Sequence, residues 1–342
     1  MTDIQILNLL FGVALFLFGM HLMSDHLKKV GGSQSELLLY RLTNSPLKAI
    51  AVGTGVTAFI QSSSAVSAMV VGLVENNLIS LKRGIAIILG SILGTAATGW
   101  IIAYSSLRFA SPLASLLSAR VLSAVFAIIG IIFKVFIKKT KFKRIGEIFL
   151  GFAILMLGIS TISAAVEPLK NNTAFLNALI SLQNPILLLG IGVIAAAILQ
   201  SASAAVGIVQ TVSITGLIGL PAAYFIILGI GIGASLPVLL TAIGKNTAAK
   251  RSAFSYLCVN TIGAAVFGII GGLIHLSTKI NIIMTPVTIS LMNTIYRLCL
   301  VLLLIGLIPQ IERLCIFIIK DKRGEKDLKR LKVFNRKNEI KS

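Results

Sequence analysis

The sequence predicts an all-α, polytopic membrane protein built from two inverted-topology repeats, each with a re-entrant helical hairpin. Three observations support this fold class. The 342-residue chain is 56% hydrophobic, with a mean hydropathy of +0.97. Two long apolar runs are each interrupted by a short polar cluster, at Gln61–Ala65 and at Gln200–Ala204. The first half of the chain also maps onto the second half at one offset, with both clusters in register.

The composition places the chain in the membrane class. Charged residues make up 12% of the sequence, whereas a soluble domain usually has about 25%. The net charge of +20 raises the question of nucleic-acid binding. The cations, however, cluster between apolar runs and in the C-terminal tail, which is typical of positive-inside topology and contact with anionic lipid. We therefore expect the lipid bilayer as a partner, and no nucleic acid.

Asp3 and the three cysteines are interpreted as structural rather than functional residues. Asp3 stands where a cleavable signal would carry basic residues, so the first apolar run is expected to remain in the protein. The three cysteines, Cys258, Cys299 and Cys315, lack metal or redox spacing and are expected to pack within the membrane helices.

The apolar runs follow one another with basic loops between them. Residues 4–24 form the first predicted span, and a basic loop follows. The other predicted spans are 84–105, 116–137, 146–166, 221–243, 252–276 and 285–309, and the interrupted runs are 47–80 and 185–219. The domains are then a first repeat at 1–137, a basic cytoplasmic connector at 138–145, a second repeat at 146–309 and a basic cytoplasmic tail at 310–342.

A shift of 139 residues superimposes the two repeats without a gap. Pro46 falls on Pro185, and Gly53 falls on Gly192. Other matches are Gly12 with Gly151, Gly19 with Gly158, Ser24 with Ser163, Gln61 with Gln200, Ser62 with Ser201, Ser64 with Ser203 and Gly90 with Gly229. Apolar composition produces chance matches of Leu and Gly, but not a matched Gln-Ser-x-Ser-Ala and Pro in one register.

Loop charges predict how the repeats are oriented. If each interrupted run returns to the side that it entered, one side holds the loops 25–48, 82–83, 138–144 and 244–251 and the tail. Arg108, Lys170 and Lys279 lie on the other side. If both runs crossed fully, the pair at 82–83 and the cluster at 138–144 would move outside, against the positive-inside rule. Three crossings then separate Gly19 from Gly158, which inverts the second repeat.

The polar clusters are candidate solute sites, because hydrocarbon offers them no hydrogen-bond partner. The unwound tip of a hairpin frees backbone N–H groups and helix N-termini, which suit an anion. Serine hydroxyls and glutamine amides can donate to an oxyanion, and their oxygens are the ligand type of a hard cation such as Na+. The competing interpretation is that Ser and Gln join helices to one another.

With these residues the chain resembles the bacterial branch of the sodium/phosphate cotransporter family. Gln61, Ser62, Ser63 and Ser64 match its first signature in full. Gln200, Ser201 and Ser203 match the second signature, in which Ala202 replaces a serine. The resemblance covers about residues 4–309 and implies Na+-driven uptake of inorganic phosphate. It also implies that both hairpins bind phosphate and sodium near the middle of the membrane.

The sequence departs from the family pattern at several positions. The helices after each hairpin usually read Gly-Ala-Asn-Ile-Gly-Thr-Thr, and Ile92 and Gly231 replace the two asparagines. Asn260 and Asn293 remain in the late helices, where Tyr256 and Ile289 stand at positions that often hold His. An anion without donors loses about 1–3 kcal/mol per missing bond. We therefore expect lower affinity, a compensating group or another solute.

Arg297 is the candidate compensating group. It lies midway along the predicted span 285–309, where a charge is costly and a guanidinium suits phosphate. Pairing with a backbone carbonyl or snorkelling is the alternative role. The predicted phosphate ligands are therefore Gln61, Ser62, Ser63, Ser64, Gln200, Ser201, Ser203 and Arg297. The predicted Na+ ligands are Gln61, Ser64, Gln200, Ser203, Thr95, Thr98, Ser235, Asn260 and Asn293.

The favoured function is sodium-coupled symport of inorganic phosphate into the cell, across the plasma membrane and with a cytoplasmic C-terminus. Na+ acts as the coupling ion, no other cofactor is expected, and the sequence is compatible with a homo-oligomer. Two alternatives stay open: a transporter of another small anion or of a phosphate-bearing lipid headgroup, and a non-transporting scaffold or sensor with a degenerate site. An enzyme is not expected, because no His/Glu/Asp constellation falls inside the membrane.

Overall fold

The computed structural model describes residues 3–43, 45–104, 106–107, 118–171, 184–278, 280 and 282–320. Arg108, Lys279 and the tail beyond residue 320, all used in the loop-charge prediction, lie outside the described residues, as does the side chain of Lys170. The described chain is nearly all helical. Its helices are α1 (Asp3–Arg41), α2 (Pro46–Ile60), α3 (Ser63–Glu75), α4 (Leu81–Gly94), α5 (Ala96–Tyr104), α6 (Ala119–Val135), α7 (Thr140–Val166), α8 (Pro185–Leu199), α9 (Ala202–Ser213), α10 (Leu220–Gly233), α11 (Ser235–Thr241), α12 (Thr247–Thr278), α13 (Pro286–Ile305) and α14 (Ile308–Ile318).

Six of these helical segments are long and apolar enough to cross a membrane within the described chain, as a multi-pass membrane protein requires. They are α1, α4 with α5, α7, α10 with α11, α12 and α13. The four shorter apolar helices are α2, α3, α8 and α9, which come from the two interrupted runs. The prediction of a polytopic, all-α membrane protein is therefore confirmed at this level.

The first helix is longer than predicted. It was expected to end at residue 24 and give way to a basic loop, but it continues to Arg41. Residues 25–41 contain no proline, and four of them are Leu, which favours helix. This extension packs beside α2, because a Cβ on Gly31 would lie 2.5 Å from the Phe59 ring. Lys28 and Lys29 are therefore helical residues.

Two more boundaries differ from the predictions. The connector predicted at 138–145 is already helical from Thr140, where α7 begins. Residues 308–318, predicted to lie at the junction with the tail, form α14. That helix is amphipathic, with Ile308, Ile311 and Cys315 buried against α12 and α4. The apolar face explains why this segment folds back onto the protein.

The two interrupted runs fold in the same way. Pro46 and Pro185 begin α2 and α8 at a position where a missing backbone N–H costs nothing. The caps are Ser45, whose side chain accepts the Lys48 N–H, and Asn184, whose side chain accepts two N–H groups. Each run is then broken at its glutamine and resumes as a second, shorter helix.

The spans after each interrupted run are also broken at matching positions, which the sequence did not predict. The predicted span 84–105 divides at Thr95 into α4 and α5, and the predicted span 221–243 divides at Ala234 into α10 and α11. Residue 234 is the repeat equivalent of residue 95. In the second copy Pro237 cannot donate a backbone hydrogen bond to the preceding turn, which favours the break there.

Glycines allow equally close packing of equivalent helices in the two repeats. A Cβ on Gly90 would overlap the carbonyl oxygen of Ile50, and one on Gly229 would overlap that of Leu189. Residue 189 is the repeat equivalent of residue 50. Such small residues let backbones approach in membrane helices. The packing of α4 on α2 is therefore repeated by that of α10 on α8.

The first helices of the two repeats pack against each other in antiparallel directions. A Cβ on Gly12 would meet Ile162, whereas one on Gly19 would meet Leu155, so rising numbers in α1 face falling numbers in α7. Gly158 meets Phe16 in the same manner, and Gly19 and Gly158 are repeat equivalents. Exchanging the two repeats by an approximate two-fold rotation therefore maps this contact onto itself.

The main core lies where α2–α4 and α8–α10 pack with the late helices α12, α13 and α14. A smaller core joins α1 and α7 to Ile102 and Ala204. One isolated antiparallel bridge, between Gly219 and Ile283, ties the start of α10 to the segment before α13. The glutamine of the first break, Gln61, is therefore buried beside the main core.

Candidate functional site

The first break begins at Gln61, the residue that ends α2. Its backbone is left-handed, with φ of 62°, and its N–H donates to the Thr57 carbonyl at 2.7 Å. Ser62 then caps α3, because its hydroxyl accepts the N–H of Ala65 at 3.2 Å. A left-handed residue followed by a cap stops one helix and starts the next within two residues. We call residues 61–65 the first tip.

The second break has the same geometry, and we call residues 200–204 the second tip. Gln200 is left-handed with φ of 51°, and Ser201 caps α9 by accepting the N–H of Ala204 at 3.2 Å. The hydroxyls of Ser201 and Ser203 lie 3.3 Å apart. Ala202, the position that lost a serine, is the first residue of α9 and is buried.

The structure brings the two tips into contact. The Ser203 hydroxyl donates to the backbone carbonyl of Gln61 over 3.4 Å, although 142 residues separate them. Both residues are buried. The Gln61 amide nitrogen donates to the Ala58 carbonyl, whereas its amide oxygen is buried without a hydrogen-bond partner. The two tips differ, because the Gln200 side chain is exposed.

The remaining serines of the first tip point in different directions. Ser63 is buried, and its hydroxyl lies 3.2 Å from the hydroxyl of Tyr256 on α12. Ser64 is half-buried. The first tip is therefore held from the side by a late helix, at a position where the family pattern often has His.

Arg297 is buried in the core, with 2% of its surface exposed. Its Nε donates to the Asn293 side-chain oxygen at 2.8 Å, and Nη1 donates to the Ile92 carbonyl at 3.0 Å. The alternative role predicted for Arg297, pairing with a backbone carbonyl, is therefore seen in the structure. Nη2 of Arg297 and the amide nitrogen of Asn293 are nevertheless buried without partners. Both are donors, so the pair can still bind an acceptor.

The second asparagine explains one departure from the family pattern. Asn260 donates from its amide to the Tyr256 carbonyl at 2.9 Å, and it lies against Gly231. A Cβ on Gly231 would be 2.8 Å from the Asn260 oxygen. An asparagine at position 231 would therefore displace the asparagine at position 260.

The other predicted sodium ligands lie on the broken spans. Thr95 and Ser235 donate to carbonyl groups of their own helices, at Ser91 and Gly231. Thr98 is buried, and its hydroxyl has no partner. Thr98 is thus the member of this group with free hydrogen-bonding capacity.

Residues 15–164 match the family described as Na+/Pi-cotransporter. This part of the chain is therefore similar to the Na+/Pi-cotransporter family. No solved structure matches the chain. The matched range contains the first tip, and the repeat places the second tip at the corresponding point of the other half.

Curated proteins match different shares of the chain. "Putative inorganic phosphate export protein YjbB" of Escherichia coli (strain K12) is 28% identical over 327 residues, which are 93% of this chain and 56% of that protein. The chain thus spans just over half of that relative. "Uncharacterized protein YqeW" of Bacillus subtilis (strain 168) is 29% identical over 304 residues, 84% of this chain and 94% of that protein. The human "Sodium-dependent phosphate transport protein 2B" is 30% identical over 90 residues, 26% of this chain and 13% of that protein.

Sequence reasoning missed two residues that shape this site. Tyr256 was noted only as a replacement of His. Gln210 was overlooked because its repeat equivalent is Val71, so the duplication gave it no weight. Its buried amide nitrogen lies 3.1 Å from the Gly99 carbonyl, 3.0 Å from the Pro286 carbonyl and 2.6 Å from the Ser290 hydroxyl. Gln210 thereby joins α9 to α5 and α13, and a lone glutamine in an apolar run was the available signal.

Proposed function

We propose that this chain transports inorganic phosphate across the membrane, with the solute held where the two tips meet. The observation that carries this proposal is the contact of Ser203 with Gln61, which joins two duplicated polar tips inside an apolar core. Buried polar atoms without partners occur in the same core, at Gln61, Asn293 and Arg297. Buried polar groups are normally hydrogen-bonded, so such atoms suit a polar solute.

Phosphate and sodium draw on different atoms in this proposal. Arg297 supplies charge and a free N–H, and hydroxyls of the serines and backbone N–H groups at the tips supply further donors. Sodium takes oxygen atoms, for which the unpaired Gln61 amide oxygen and Thr98 hydroxyl are the best-placed candidates. The first tip carries more of the phosphate binding, since it retains its third serine and its glutamine is buried.

In the membrane we propose two inverted repeats with re-entrant hairpins. The antiparallel contact of α1 with α7, centred on Gly19 and Gly158, supports an exchange axis lying in the membrane plane. The hairpins are α2–α3 and α8–α9, whose single helices of 12–15 residues are shorter than a full span. The basic loops and the C-terminus then lie in the cytoplasm, and the protein resides in the plasma membrane.

The favoured direction is sodium-coupled uptake, as the family name and the sodium-dependent relative suggest. Export is the second candidate, because YjbB is named as an export protein. In either case the chain is a carrier of phosphate rather than an enzyme. The lost asparagines still leave room for another small anion or a lipid headgroup as competing solutes.

The test uses purified protein in liposomes and labelled phosphate at about pH 8, where phosphate is mainly divalent. We expect uptake to be driven by an inward Na+ gradient and to fall when choline replaces Na+. Efflux from preloaded vesicles under the reverse gradient measures export. Absence of flux, together with no thermal stabilisation of the protein by phosphate, would favour the scaffold function instead.

The two repeats differ in how the tips meet the first helices, and this difference suggests an access route. Ser24 of α1 is buried and donates to the carbonyl of Ile60 in α2 at 2.9 Å. Its repeat equivalent Ser163 donates to Ile159 of its own helix at 2.8 Å and lines a cavity of about 860 Å³. Arg120, Ser160 and Ser213 also line this cavity. We propose that the cavity is the outer entrance and that the Ser24 contact closes the cytoplasmic side.

Ser24→Ala is expected to shift the protein away from this outward-open state. A Cys in place of Ser163 reports the state by its reaction with a membrane-impermeant maleimide added to either side of sealed vesicles. We expect labelling from the side opposite the basic loops. Adding Ser24→Ala should lower it about 5-fold, which corresponds to one hydrogen bond of about 1 kcal/mol.

The native chain, with three cysteines of which Cys258 and Cys315 are buried, provides the labelling blank. Ser123→Cys on α6, which lines the same cavity, tests general access. Labelling of Ser163→Cys that does not respond to Ser24→Ala would reject the proposed closing contact.

A further inference from the structure

Arg297 carries a charge that no acidic residue balances in the part of the chain that the structure describes. The buried polar side chains of the described chain include no Asp or Glu, and Arg297 is the charged residue among them. The ion pairs found within the described ranges join Asp25, Glu75 and Glu147 to His or Lys side chains, and none of them includes Arg297. Buried charges are normally paired, because removing them from water is costly.

The partners that Arg297 does have are neutral. The Asn293 side chain and the Ile92 carbonyl accept its Nε and Nη1 protons, and Nη2 stays unpartnered although the residue is 98% buried. Asn293 also keeps a free amide nitrogen beside it. Two donors and one positive charge are thus directed into the interior with no acceptor. An anion is the ligand that satisfies all three.

A chain of contacts links this charge to the first tip. Nη1 of Arg297 donates to the Ile92 carbonyl on α4 at 3.0 Å. The hydroxyl of the neighbouring Ser91 lies 3.3 Å from that of Ser67 on α3, one helical turn after Ser63. The guanidinium therefore lies behind the first tip, on the side of the late helices.

We infer that Arg297 is a built-in counter-cation for the anion bound at the first tip, so that monovalent phosphate is carried without Na+. The inference rests on the proposed function and concerns its coupling. A loaded site in a low-dielectric interior is most stable when its net charge is near zero. Arg297 alone neutralises monovalent phosphate, whereas divalent phosphate leaves one negative charge that a single Na+ can balance.

The inference also explains how the site tolerates the loss of two asparagines. Ile92 occupies one of those positions, and its backbone carbonyl is the group that receives Arg297 Nη1. The side-chain amide is absent at this position, but the backbone carbonyl remains and holds the charged guanidinium of Arg297 in place. A charged donor forms stronger hydrogen bonds to an oxyanion than an amide does.

The experiment measures labelled-phosphate flux in liposomes containing the full chain, with Na+ or choline, at pH values below and above the second pKa of phosphate. Below that pKa we expect wild-type flux to stay within about twofold when choline replaces Na+. Above it, we expect a loss of about tenfold or more, the effect of one missing charge interaction. A phenol ordinarily titrates at about pH 10, so the pH change acts on the phosphate rather than on Tyr256 or Tyr296.

Two substitutions at the same position separate charge from shape. In R297Q, flux below the phosphate pKa should become Na+-dependent by about tenfold or fall by that factor altogether. R297K keeps the charge and should retain Na+-independent flux, although more weakly than Arg. Phosphate in choline buffer should also raise the melting temperature of the wild-type protein and of R297K, but not that of R297Q.

The outcomes are distinguishable. Wild-type flux that needs Na+ equally below and above the phosphate pKa overturns the counter-cation role and leaves phosphate transport standing. Absence of phosphate flux and of stabilisation under every condition overturns both proposals. If R297Q does not fold, the flux of the wild-type protein and of R297K, measured with and without Na+ at both pH values, still tests the counter-cation role.

Discussion

Gln61→Gly is expected to abolish most phosphate flux while the protein remains folded. Glycine adopts the left-handed backbone of Gln61, with φ of 62°, at no steric cost. The substitution therefore removes the amide without straining the tip. A buried solute that loses one or two hydrogen bonds should bind about 10- to 100-fold more weakly. Flux in liposomes and the melting temperature in detergent, measured on the same preparation, check both parts.

Two companion variants define what that loss means. Gln61→Ala also removes the amide but, like the native glutamine, keeps a side chain in the left-handed region, which costs about 1–2 kcal/mol relative to glycine. It should match the glycine variant in flux per folded molecule and melt at a lower temperature. Gln200→Gly should have a smaller effect on flux, because the Gln200 side chain is exposed. Near-normal flux in Gln61→Gly would remove the first tip from the mechanism.

Gly53→Ala should cause a large loss of stability. A Cβ at Gly53 would overlap the carbonyl oxygen of Ile87, so α2 and α4 would have to separate. Overpacking of this kind typically costs about 1–3 kcal/mol. Backbone atoms fill the contact on the α4 side, and they cannot adopt another rotamer to make room. Thermal unfolding in detergent measures the effect.

Gly55→Ala provides the matched control, two residues along the same helix. A Cβ there would meet nothing within 4 Å. The substitution should be neutral or stabilising by up to about 1 kcal/mol, since alanine favours helix over glycine. The repeat offers an independent pair, with Gly192 overlapping the Ile226 carbonyl and Gly190 in open space. Equal melting temperatures for Gly53→Ala and Gly55→Ala would contradict the close packing of α2 on α4.

Local signals were read correctly where they act within a few residues. Pro46 and Pro185 begin helices, and the breaks fall at Gln61 and Gln200, as the interrupted hydrophobic pattern predicted. A proline at the first turn, a serine cap and a left-handed residue are properties of the neighbouring backbone. Their physical causes lie in the sequence itself.

Other boundaries depend on contacts far along the chain. The helix α1 passes through a segment of mixed polarity to Arg41, because Gly31 packs against Phe59 there and no proline intervenes. The breaks at Thr95 and Ala234 occur within apolar runs that read as continuous spans. Hydropathy measures only how strongly a segment avoids water. A broken and an unbroken apolar helix have the same hydropathy, so it cannot predict the break.

The sequence by itself determined the membrane class, the duplication at a shift of 139 residues and the two polar tips, because composition and repetition need no three-dimensional information. Only the tertiary structure decided that Ser203 touches Gln61, that Tyr256 meets Ser63 and that Arg297 has neutral partners alone among the described residues. The first two contacts join residues that are 142 or more positions apart. The contacts of Arg297 depend on which of its neighbouring groups stay unpaired. Such contacts form only when the helices pack. The atoms around a buried polar group then set the free-energy cost of burying it.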